Sequence, residues 1–340
     1  MLTLVDLRGD HSHAGARLPR AAAETVDVAR RRVREIVATV CAEGDAAVAR
    51  WTREFDRWDG GPLEVPADEA RAALAALDPT LRSALGHAAE QIRWFHERAR
   101  PPDWLEERDG ARLGVRHQPL RRVGVYAPGG RAAYPSSVLM TVVPAAVAGV
   151  GEVVLCTPPD RGGRVNPTIL AAAELAGADR ILRIGGAQAV AAMAYGTETV
   201  PRCDKVVGPG NLYVAEAKRL VAAEGACGID LLAGVTEVAI IADDTADPRH
   251  VAADLVAQAE HDPLAACVLI TPSQTLVAAV EDALAPEVAA ARHADRVRQA
   301  LRGQGAAALV DDLDHAVAVA DAYAPEHLEV QTADAAAVAD

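Results

Sequence analysis

The sequence predicts an α/β protein in which the strands of parallel sheets alternate with helices. The first observation is a strand–turn–helix pattern that repeats roughly every 30 residues from Val123 onward, a spacing typical of βαβ units. A similar run follows residue 235, and the N-terminal region is rich in Ala, Arg and Glu at helical spacing. We therefore expect one α/β layer over about residues 123–235 and another built from later residues and part of the N-terminal segment.

The N-terminal region is predicted to be mainly helical. Apolar residues between positions 21 and 100 recur on one helix face, as at Val26, Ala29, Val33, Ile36, Val37 and Val40. A break at residues 59–62 (Asp-Gly-Gly-Pro) interrupts this region, and Pro66 precedes a second helix at Glu69. A short alternating segment at residues 113–115 favours a strand.

The two layers are assigned from their apolar runs. The strands expected in the first layer are residues 123–126, 152–156, 180–184 and 205–207. The helices between them are expected to begin near Ser137, Pro167, Ala187 and Asn211. The second layer is expected to contain strands at residues 237–242, 266–271 and 308–310, with helices at residues 248–261 and from Ser273.

Composition excludes several classes of protein. A chain of 340 residues fits about two domains, and 51% hydrophobic residues exclude a largely disordered protein. The net charge of −14 argues against a nucleic-acid partner, because phosphate binding needs clustered cationic side chains. The five cysteines are dispersed singly, the N-terminus does not resemble a signal peptide, and no apolar stretch is long enough to span a membrane. We expect a cytoplasmic protein with reduced thiols.

Three glycine-rich turns follow predicted strands and precede predicted helices. They are Tyr126-Ala127-Pro128-Gly129-Gly130, Gly185-Gly186-Ala187-Gln188 and Gly208-Pro209-Gly210-Asn211. Glycine lets a backbone approach a ligand closely, and ligands of open α/β sheets bind beyond the carboxyl ends of the strands. The glycines could instead serve only the tight turns, and GxGxxG is absent. The three turns together favour a nucleotide site.

Two polar clusters could carry chemistry. Gln258 and His261 are three residues apart at the end of a predicted helix and could share a metal ion, or could form an ordinary capped helix end. Glu326 and His327 follow Pro325, and an irregular turn there could bring both to one ligand as a base and a proton shuttle. The alternative is a helix that starts at Pro-Glu and carries a surface histidine.

Two cysteines are candidate nucleophiles. Cys156 ends a predicted strand, and Cys203 precedes Asp204. Neither has a histidine close by in sequence that would lower the thiol pKa, so we predict buried, inert thiols rather than catalytic ones.

These residues together resemble the histidinol dehydrogenase family, the enzymes that end histidine biosynthesis. The resemblance covers nearly the whole chain from about residue 25. It is carried by Arg122-Val-Gly-Val-Tyr126-Ala-Pro-Gly-Gly130, Gly185-Gly-Ala-Gln188-Ala, Gly196-Thr-Glu198, Asp204-Lys205, Gly208-Pro-Gly-Asn211, Asp230-Leu-Leu-Ala-Gly234-Val-Thr236-Glu237-Val, Gln258-Ala-Glu-His261 and Tyr323-Ala-Pro-Glu326-His327-Leu.

The resemblance implies a fold and a reaction. The fold would have two similar three-layer α/β/α domains with incomplete Rossmann-like parallel sheets, an aldehyde-dehydrogenase-like arrangement, plus N-terminal helices. Residues 1–122 would form the helical segment and part of a zinc and substrate domain, 123–235 an NAD-binding domain, and 236–340 the rest of the zinc and substrate domain. A homodimer with NAD and zinc would oxidise L-histidinol through histidinal to L-histidine.

Matching positions carry the implied roles. NAD contacts would come from Tyr126, Gln188 and Asn211. Substrate contacts would come from Thr236, Gln258, His261 and His327, and zinc ligands from Gln258 and His261. Glu326 would activate water for the aldehyde step, with His327 relaying protons. Zinc would hold the amino and imidazole nitrogens of the substrate.

Two features depart from the family pattern. Val235 stands where the family has a proline, which would loosen the loop that presents Thr236. The sequence also stops at Asp340, whereas family members continue and there supply an aspartate and a histidine ligand to zinc and a glutamate across the dimer. Gln258 and His261 cannot complete a zinc shell alone, so either the sequence is a fragment or it binds metal poorly.

Three functions stay open at this point. The leading one is NAD- and zinc-dependent oxidation of histidinol. A second is oxidation of another small polar alcohol by the same kind of enzyme. The third is a non-catalytic remnant that keeps the fold or a dimer surface.

Overall fold

The structure, a computed structural model, describes residues 1–10, 14–20, 23–129, 133–232 and 236–339. The chain divides into two compact units, which we call the first unit (Met1–Val26 with Gly234–Asp340) and the second unit (Asp27–Ala233). Gly130 and Val235, named above, lie outside the described residues. No helix in the described ranges is long and apolar enough to cross a membrane.

The first unit is built on a parallel sheet. Its described strands are β1 (Thr3–Asp6), β9 (Glu237–Ala242), β10 (Ala266–Thr271), β11 (Gly305–Leu309) and β12 (His327–Gln331), numbered in chain order. They lie in the order β1-β11-β10-β9-β12, and every pairing is parallel. The N-terminal strand therefore completes a sheet whose other strands come from the C-terminal third of the chain.

Helices cover both faces of this sheet. They are α9 (Pro248–Ala259), α10 (Gln274–Ala290), α11 (Ala294–Gln304), α12 (Leu313–Tyr323) and the short α13 (Ala335–Ala339). Along β9, Val238 and Ile240 pack with α9 to α11, whereas Ala239 and Ile241 pack with α12. This alternation is the period-two pattern of a strand buried on both faces, and it gives a three-layer unit.

The second unit repeats the same plan. Its sheet consists of β4 (Arg122–Tyr126), β5 (Glu152–Thr157), β6 (Arg180–Arg183), β7 (Lys205–Val207) and the two-residue β8 (Gly228–Ile229). The order is β6-β5-β4-β7-β8, again all parallel. Its helices are α1 (Ala23–Glu43), α2 (Asp45–Asp56), α3 (Ala67–Ala76), α4 (Pro79–Ala99), α5 (Pro135–Val147), α6 (Pro167–Ala176), α7 (Gly186–Tyr195) and α8 (Leu212–Ala223).

Alternate strand residues of the second unit also face two separate cores. Val154 and Cys156 of β5 pack with α1, α2, α7 and α8, and Val153 and Leu155 pack with α3 to α6. The N-terminal helices from Asp27 onward therefore lie in this unit, whereas Met1–Val26, with β1, belongs to the first unit. Their apolar faces are buried against the second unit's own sheet. Whether the two units hold NAD and zinc stays a prediction.

A hairpin stands apart from both cores. Its strands β2 (Trp104–Arg108) and β3 (Ala111–Val115) pair antiparallel, and every one of their residues is exposed. A two-stranded hairpin without a covered face is marginally stable in water.

In both sheets, the order in which the chain adds strands reverses at one place. In each, the chain moves outward from a central strand, β4 or β9, and then returns to the other side of it, at β7 or β12. The crevices at the carboxyl ends of β4/β7 and β9/β12 are therefore topological switch points, where ligands of open α/β sheets bind. The prediction of two similar α/β/α units with parallel sheets is confirmed.

Candidate functional site

The β4/β7 switch point of the second unit is formed by Tyr126 and Gly208. Tyr126 is the last residue of β4, and Gly208 directly follows β7. Gly208 has a φ of +111°, and a side chain there would collide with the carbonyl oxygen of Tyr126. Only glycine lets the two strand ends come this close.

A buried ion pair holds the Gly208 turn. Lys218 on α8 is 2% exposed, and its Nζ donates to the Gly208 carbonyl oxygen at 3.0 Å and pairs with Asp230. The Gly208 N–H in turn donates to Asp230 Oδ2 at 2.8 Å. The sequence analysis assigned no role to this pair. Its signal was a lysine between the apolar residues Ala217 and Val221, which must be paired if that helix face is buried.

Tyr126 ties β4 to the second glycine turn. Its hydroxyl oxygen accepts a hydrogen bond from the Gly186 N–H at 3.2 Å, and its side chain is buried. Burial raises the pKa of Tyr126 to about 12, so the phenol stays neutral at physiological pH. The neutral hydroxyl keeps its own proton available for a ligand.

Gln188 is the clearest sign of a ligand site. Its side chain is fully buried in the first turn of α7, and neither Nε2 nor Oε1 has a hydrogen-bond partner among the described residues. The N-cap residue of α7, Gly185, has no side chain that could cap the helix. Thr157 Oγ1, at the end of β5, is also buried and unpartnered. Leaving such groups unsatisfied costs about 1–3 kcal/mol each, which indicates that a bound molecule supplies the missing partners.

Asn211 has a structural task that the sequence indicated. It is the N-cap of α8, where its Oδ1 accepts from the N–H groups of Tyr213 at 3.0 Å and Val214 at 3.2 Å. Those bonds use the oxygen only, so the amide nitrogen is still available for a ligand. The residues of this crevice therefore fit a dinucleotide with polar edges, and NAD binding by Tyr126, Gln188 and Asn211 stays a prediction.

The predicted substrate residues lie in the first unit, at the amino ends of its strands and therefore at the edge of the sheet away from the β9/β12 switch point. Thr236 precedes β9, and its hydroxyl accepts from the Gln258 Nε2 at 2.6 Å. Gln258 is buried near the end of α9. Thr236 and Gln258 are therefore brought together, as the resemblance implied.

His261 lies in the turn between α9 and β10 and is exposed. The backbone N–H of His261 donates to the backbone carbonyl oxygen of Gln258 at 3.1 Å, which places both residues at the same helix end. Glu260 is committed elsewhere, because its Oε1 accepts from the His293 N–H at 3.2 Å.

Glu326 lies in an irregular bend after Pro325, as one of the two alternatives had it, whereas His327 is already part of a strand. Ala324, with a φ of 48°, ends α12, and a regular strand starts at His327. His327 is paired with Val238 in the register, so Glu326 lies next to Glu237 at the start of β9. Glu326 and His327 are both exposed. The helix-start alternative is wrong, because His327 begins a strand that pairs with β9 at the edge of the sheet. Burial raises the pKa of Glu237, and the neighbouring Glu326 charge raises it further.

The described residues do not by themselves make a zinc site. Zinc takes four protein or solvent ligands, commonly nitrogen, sulfur or carboxylate oxygen. Gln258 and His261 can offer two, and within the described ranges no group of three His, Cys, Asp or Glu residues could hold a metal. The site residues present thus fit part of a zinc shell, and no chemical step is derived through the metal.

The two candidate cysteines are buried, as predicted. Cys156 and Cys203 are inaccessible, and burial raises the pKa of both thiols, that of Cys203 to about 12. A protonated, inaccessible thiol is a poor nucleophile. Cysteine-based aldehyde chemistry at these two residues is therefore excluded.

A separate cavity of about 490 Å³ occupies the β9/β12 switch point of the first unit. It is lined by Thr245, His250, Asp254, Gln331 and Thr332, among others. None of the predicted substrate residues is among them, because Thr236, Gln258 and Glu326 lie at the other edge of this sheet.

Two parallel sheets with switch-point crevices, one of them lined by glycine turns and unpartnered polar groups, define an open-sheet α/β protein of the ligand-binding kind. Residues 19–340 match the family model of histidinol dehydrogenase. The chain therefore belongs to the histidinol dehydrogenase family, which consists of oxidoreductases.

Individual relatives agree with this assignment. The chain is 48% identical to histidinol dehydrogenase of Thermobifida fusca (strain YX) over 345 aligned residues, covering 100% of this chain and 78% of the relative. It is 49% identical to that of Parasynechococcus marenigrum (strain WH8102), covering 91% and 70%. The crystal structure of histidinol dehydrogenase from Elizabethkingia anophelis superposes with a TM-score of 0.84 at 33% identity, covering 97% of this chain and 75% of that one.

Proposed function

We propose that this protein oxidises L-histidinol through L-histidinal to L-histidine with NAD and zinc, as the last step of histidine biosynthesis. The family match over residues 19–340 carries the proposal. The unpartnered amide of Gln188 and the Gly208 turn support a dinucleotide site, and the Thr236–Gln258 pair supports a polar substrate site.

The reaction removes four electrons in two oxidations and consumes one water. NAD, when bound, accepts one hydride in each oxidation, so two NAD molecules are reduced per substrate. Glu326 acts as the base that takes a proton from water for attack on the aldehyde carbon, and His327 moves the proton of the alcohol. Both are exposed at the start of β12, where a substrate can reach them. Thr236, Gln258 and His261 orient the substrate, with Gln258 and His261 as the zinc ligands.

The decisive experiment is stepwise turnover. Purified protein loaded with zinc is expected to form NADH with L-histidinol and with L-histidinal, and its metal content is measured in parallel. Glu326→Gln should slow the aldehyde step far more than the alcohol step, because only the aldehyde step needs activated water. Asp321→Asn, an exposed acid on α12, is the control. Equal loss in both steps would remove the assigned role of Glu326.

The same assay separates the alternatives. NADH production with another small polar amino alcohol, but not with histidinol, would select a different substrate within the family. A folded protein that neither retains zinc nor turns over any alcohol would be a non-catalytic member.

The proposal includes a homodimer in the cytoplasm. Its support is the exposed apolar surface of α4 and the hairpin, where Trp94, Phe95, Trp104, Leu105 and Leu113 are 48–61% exposed. Surface of this kind usually contacts a partner. All five cysteines are free thiols, as in a reducing compartment. Sedimentation of the wild type and of Leu105→Glu tests the dimer, which the charged variant should dissociate.

A further inference from the structure

We propose that the carboxylate of Asp56 binds the vicinal hydroxyl groups of a ribose in the dinucleotide and so selects a cofactor with no phosphate on that ribose. This inference rests on the proposed function, since it names a further residue of the proposed NAD crevice. No role was assigned to Asp56 by the sequence motifs.

Asp56 lies at the second glycine turn. It is the last residue of α2, and Arg57 after it has a left-handed φ of 58° that ends the helix. Both carboxylate oxygens lie 3.3 Å from the point where a side chain at Gly185 would begin. That same point is 2.7 Å from Pro158, so no side chain fits between β5 and α7 here. Glycine at 185 therefore leaves the carboxylate facing the first turn of α7.

The described residues offer Asp56 Oδ2 no partner. This oxygen is buried without a hydrogen bond, and no N–H of α7 reaches it in the described structure. Burial raises the pKa of Asp56 to about 6, and no cation among the described residues opposes the shift. Helix capping and ion pairing therefore do not explain why an acid stands here.

Two further unpartnered groups surround the same turn. The Gln188 amide, fully buried, folds back over Gly186, and Thr157 directly precedes the Pro158 that touches Gly185. Unsatisfied side chains from α2 and α7 thus meet at the Gly185–Gly186 pair, while the Thr157 hydroxyl on β5 faces Gly129 of the first glycine turn. Such convergence, each group coming from a different element, marks a built site rather than a single packing defect.

The chemistry of the three groups favours a sugar. An ionised carboxylate only accepts hydrogen bonds, and a vicinal diol offers two donors with matching spacing. A phosphate on the same ribose would place like charges together, which is strongly unfavourable in a partly buried site. A metal ion is a poorer fit, because within the described residues Asp56 belongs to no group of three His, Cys, Asp or Glu residues that could hold one.

Direct binding titrations of the full chain test the role. Asp56→Asn should weaken NAD binding roughly tenfold or more, the usual cost of losing a charge-assisted hydrogen bond. Binding of NADP should stay equal or tighten, so the preference for NAD shrinks. Asp59→Asn, which neutralises an exposed acid three positions later, should leave both affinities unchanged.

The pH dependence gives a readout that a structural role would not produce. Wild-type affinity for NAD should rise as pH increases through about 6, where Asp56 ionises, and the Asn variant should lack this rise. The titratable groups around it, Tyr126 on β4 and Cys156 on β5, both have a pKa raised by burial and do not ionise in this range.

NAD analogues that lack a ribose hydroxyl test the contact without relying on a variant. The wild type should bind an analogue that lacks the contacted hydroxyl roughly tenfold more weakly than it binds NAD. Asp56→Asn should bind that analogue as tightly as it binds NAD. Equal affinity of wild type and variant for NAD, or equal analogue losses in both, would overturn the Asp56 assignment while leaving NAD binding intact. Failure of the wild type to bind NAD at all would overturn the proposed function together with this inference.

Discussion

The sheets of the two units have the same strand order, yet their switch-point crevices differ in whether polar side chains find hydrogen-bond partners within the protein. In the second unit, Asp56, Thr157 and Gln188 carry buried atoms without partners. In the first unit, the protein satisfies its own groups across the crevice: Gln331 donates to Asp254 at 2.8 Å, and the Ala333 N–H donates to Asp243 at 3.1 Å.

The turns show why. After β7 the second unit places Gly208 against the Tyr126 carbonyl, whereas after β9 the first unit places Asp243, whose carboxylate bridges to the turn after β12. The acid pairs polar groups of the first crevice with one another, leaving only the Thr332 hydroxyl unpartnered among the groups named here. A shared topology thus creates two crevices, and the turn residues decide which of them keeps polar groups without a partner among the described residues. The first unit's predicted chemistry lies instead at its amino edge.

Breaking the buried Lys218–Asp230 ion pair should have the largest effect on stability and on cofactor binding. Lys218→Met leaves Asp230 and the Gly208 carbonyl without their cation, and breaking a buried pair on one side costs about 3–5 kcal/mol. We expect a correspondingly lower free energy of unfolding in denaturant titrations and loss of NAD binding. Lys205→Met, at a half-buried lysine of β7, should cost much less. Equal losses of unfolding free energy in both variants would mean that the Gly208 turn does not depend on the Lys218–Asp230 ion pair.

The sequence predicted buried elements well and edge elements poorly. The strands at residues 237–242 and 266–271 were predicted with their observed bounds because they are continuous apolar runs buried on both faces. The strand Thr3–Asp6 was not predicted, since Leu4 is 55% exposed and the strand shows no apolar face. The strand His327–Gln331 was missed for the same reason: it is an edge strand with a polar sequence.

The site was predictable only where its residues are close together in sequence. Gln188 follows its glycine turn directly, and Asn211 precedes its helix as an N-cap does, so both could be found locally. Asp56 is far from Gly185 in the chain, and Lys218 meets Asp230 only through the packing of α8 beside β8. Such pairings depend on strand order, which composition and periodicity do not specify.

A smaller effect is expected from the unpartnered acid itself. Burial raises the pKa of Asp56 from 3.8, its ordinary value in an unfolded chain, to about 6 in the folded protein. Stability from the neutral acid is therefore fully present below pH 3.8 and is lost as pH rises through about 6. Above that pH the carboxylate costs the fold at most about 3 kcal/mol.

Asp56→Asn should consequently be more stable than the wild type above pH 6 and equal to it below pH 4, in unfolding curves measured without cofactor. A variant that is stabilised yet binds NAD more weakly would show that the second crevice retains strain for binding. If instead the variant is destabilised at neutral pH, the carboxylate has a structural partner and the contrast between the crevices fails.

The smallest effect is expected in the first unit. Burial raises the pKa of Glu329, and the nearby Asp254 raises it further. The resulting cost appears as pH rises through the folded pKa, so Asp254→Asn should stabilise the protein at neutral pH, by on the order of 1 kcal/mol or less, and have no effect in acid. The Asn oxygen can still accept from Gln331, which keeps this hydrogen bond across the crevice. NAD affinity should not change, in contrast to Asp56→Asn. A loss of NAD affinity in Asp254→Asn would show that the first crevice also serves the cofactor, and the distinction between the two switch points would have to be abandoned.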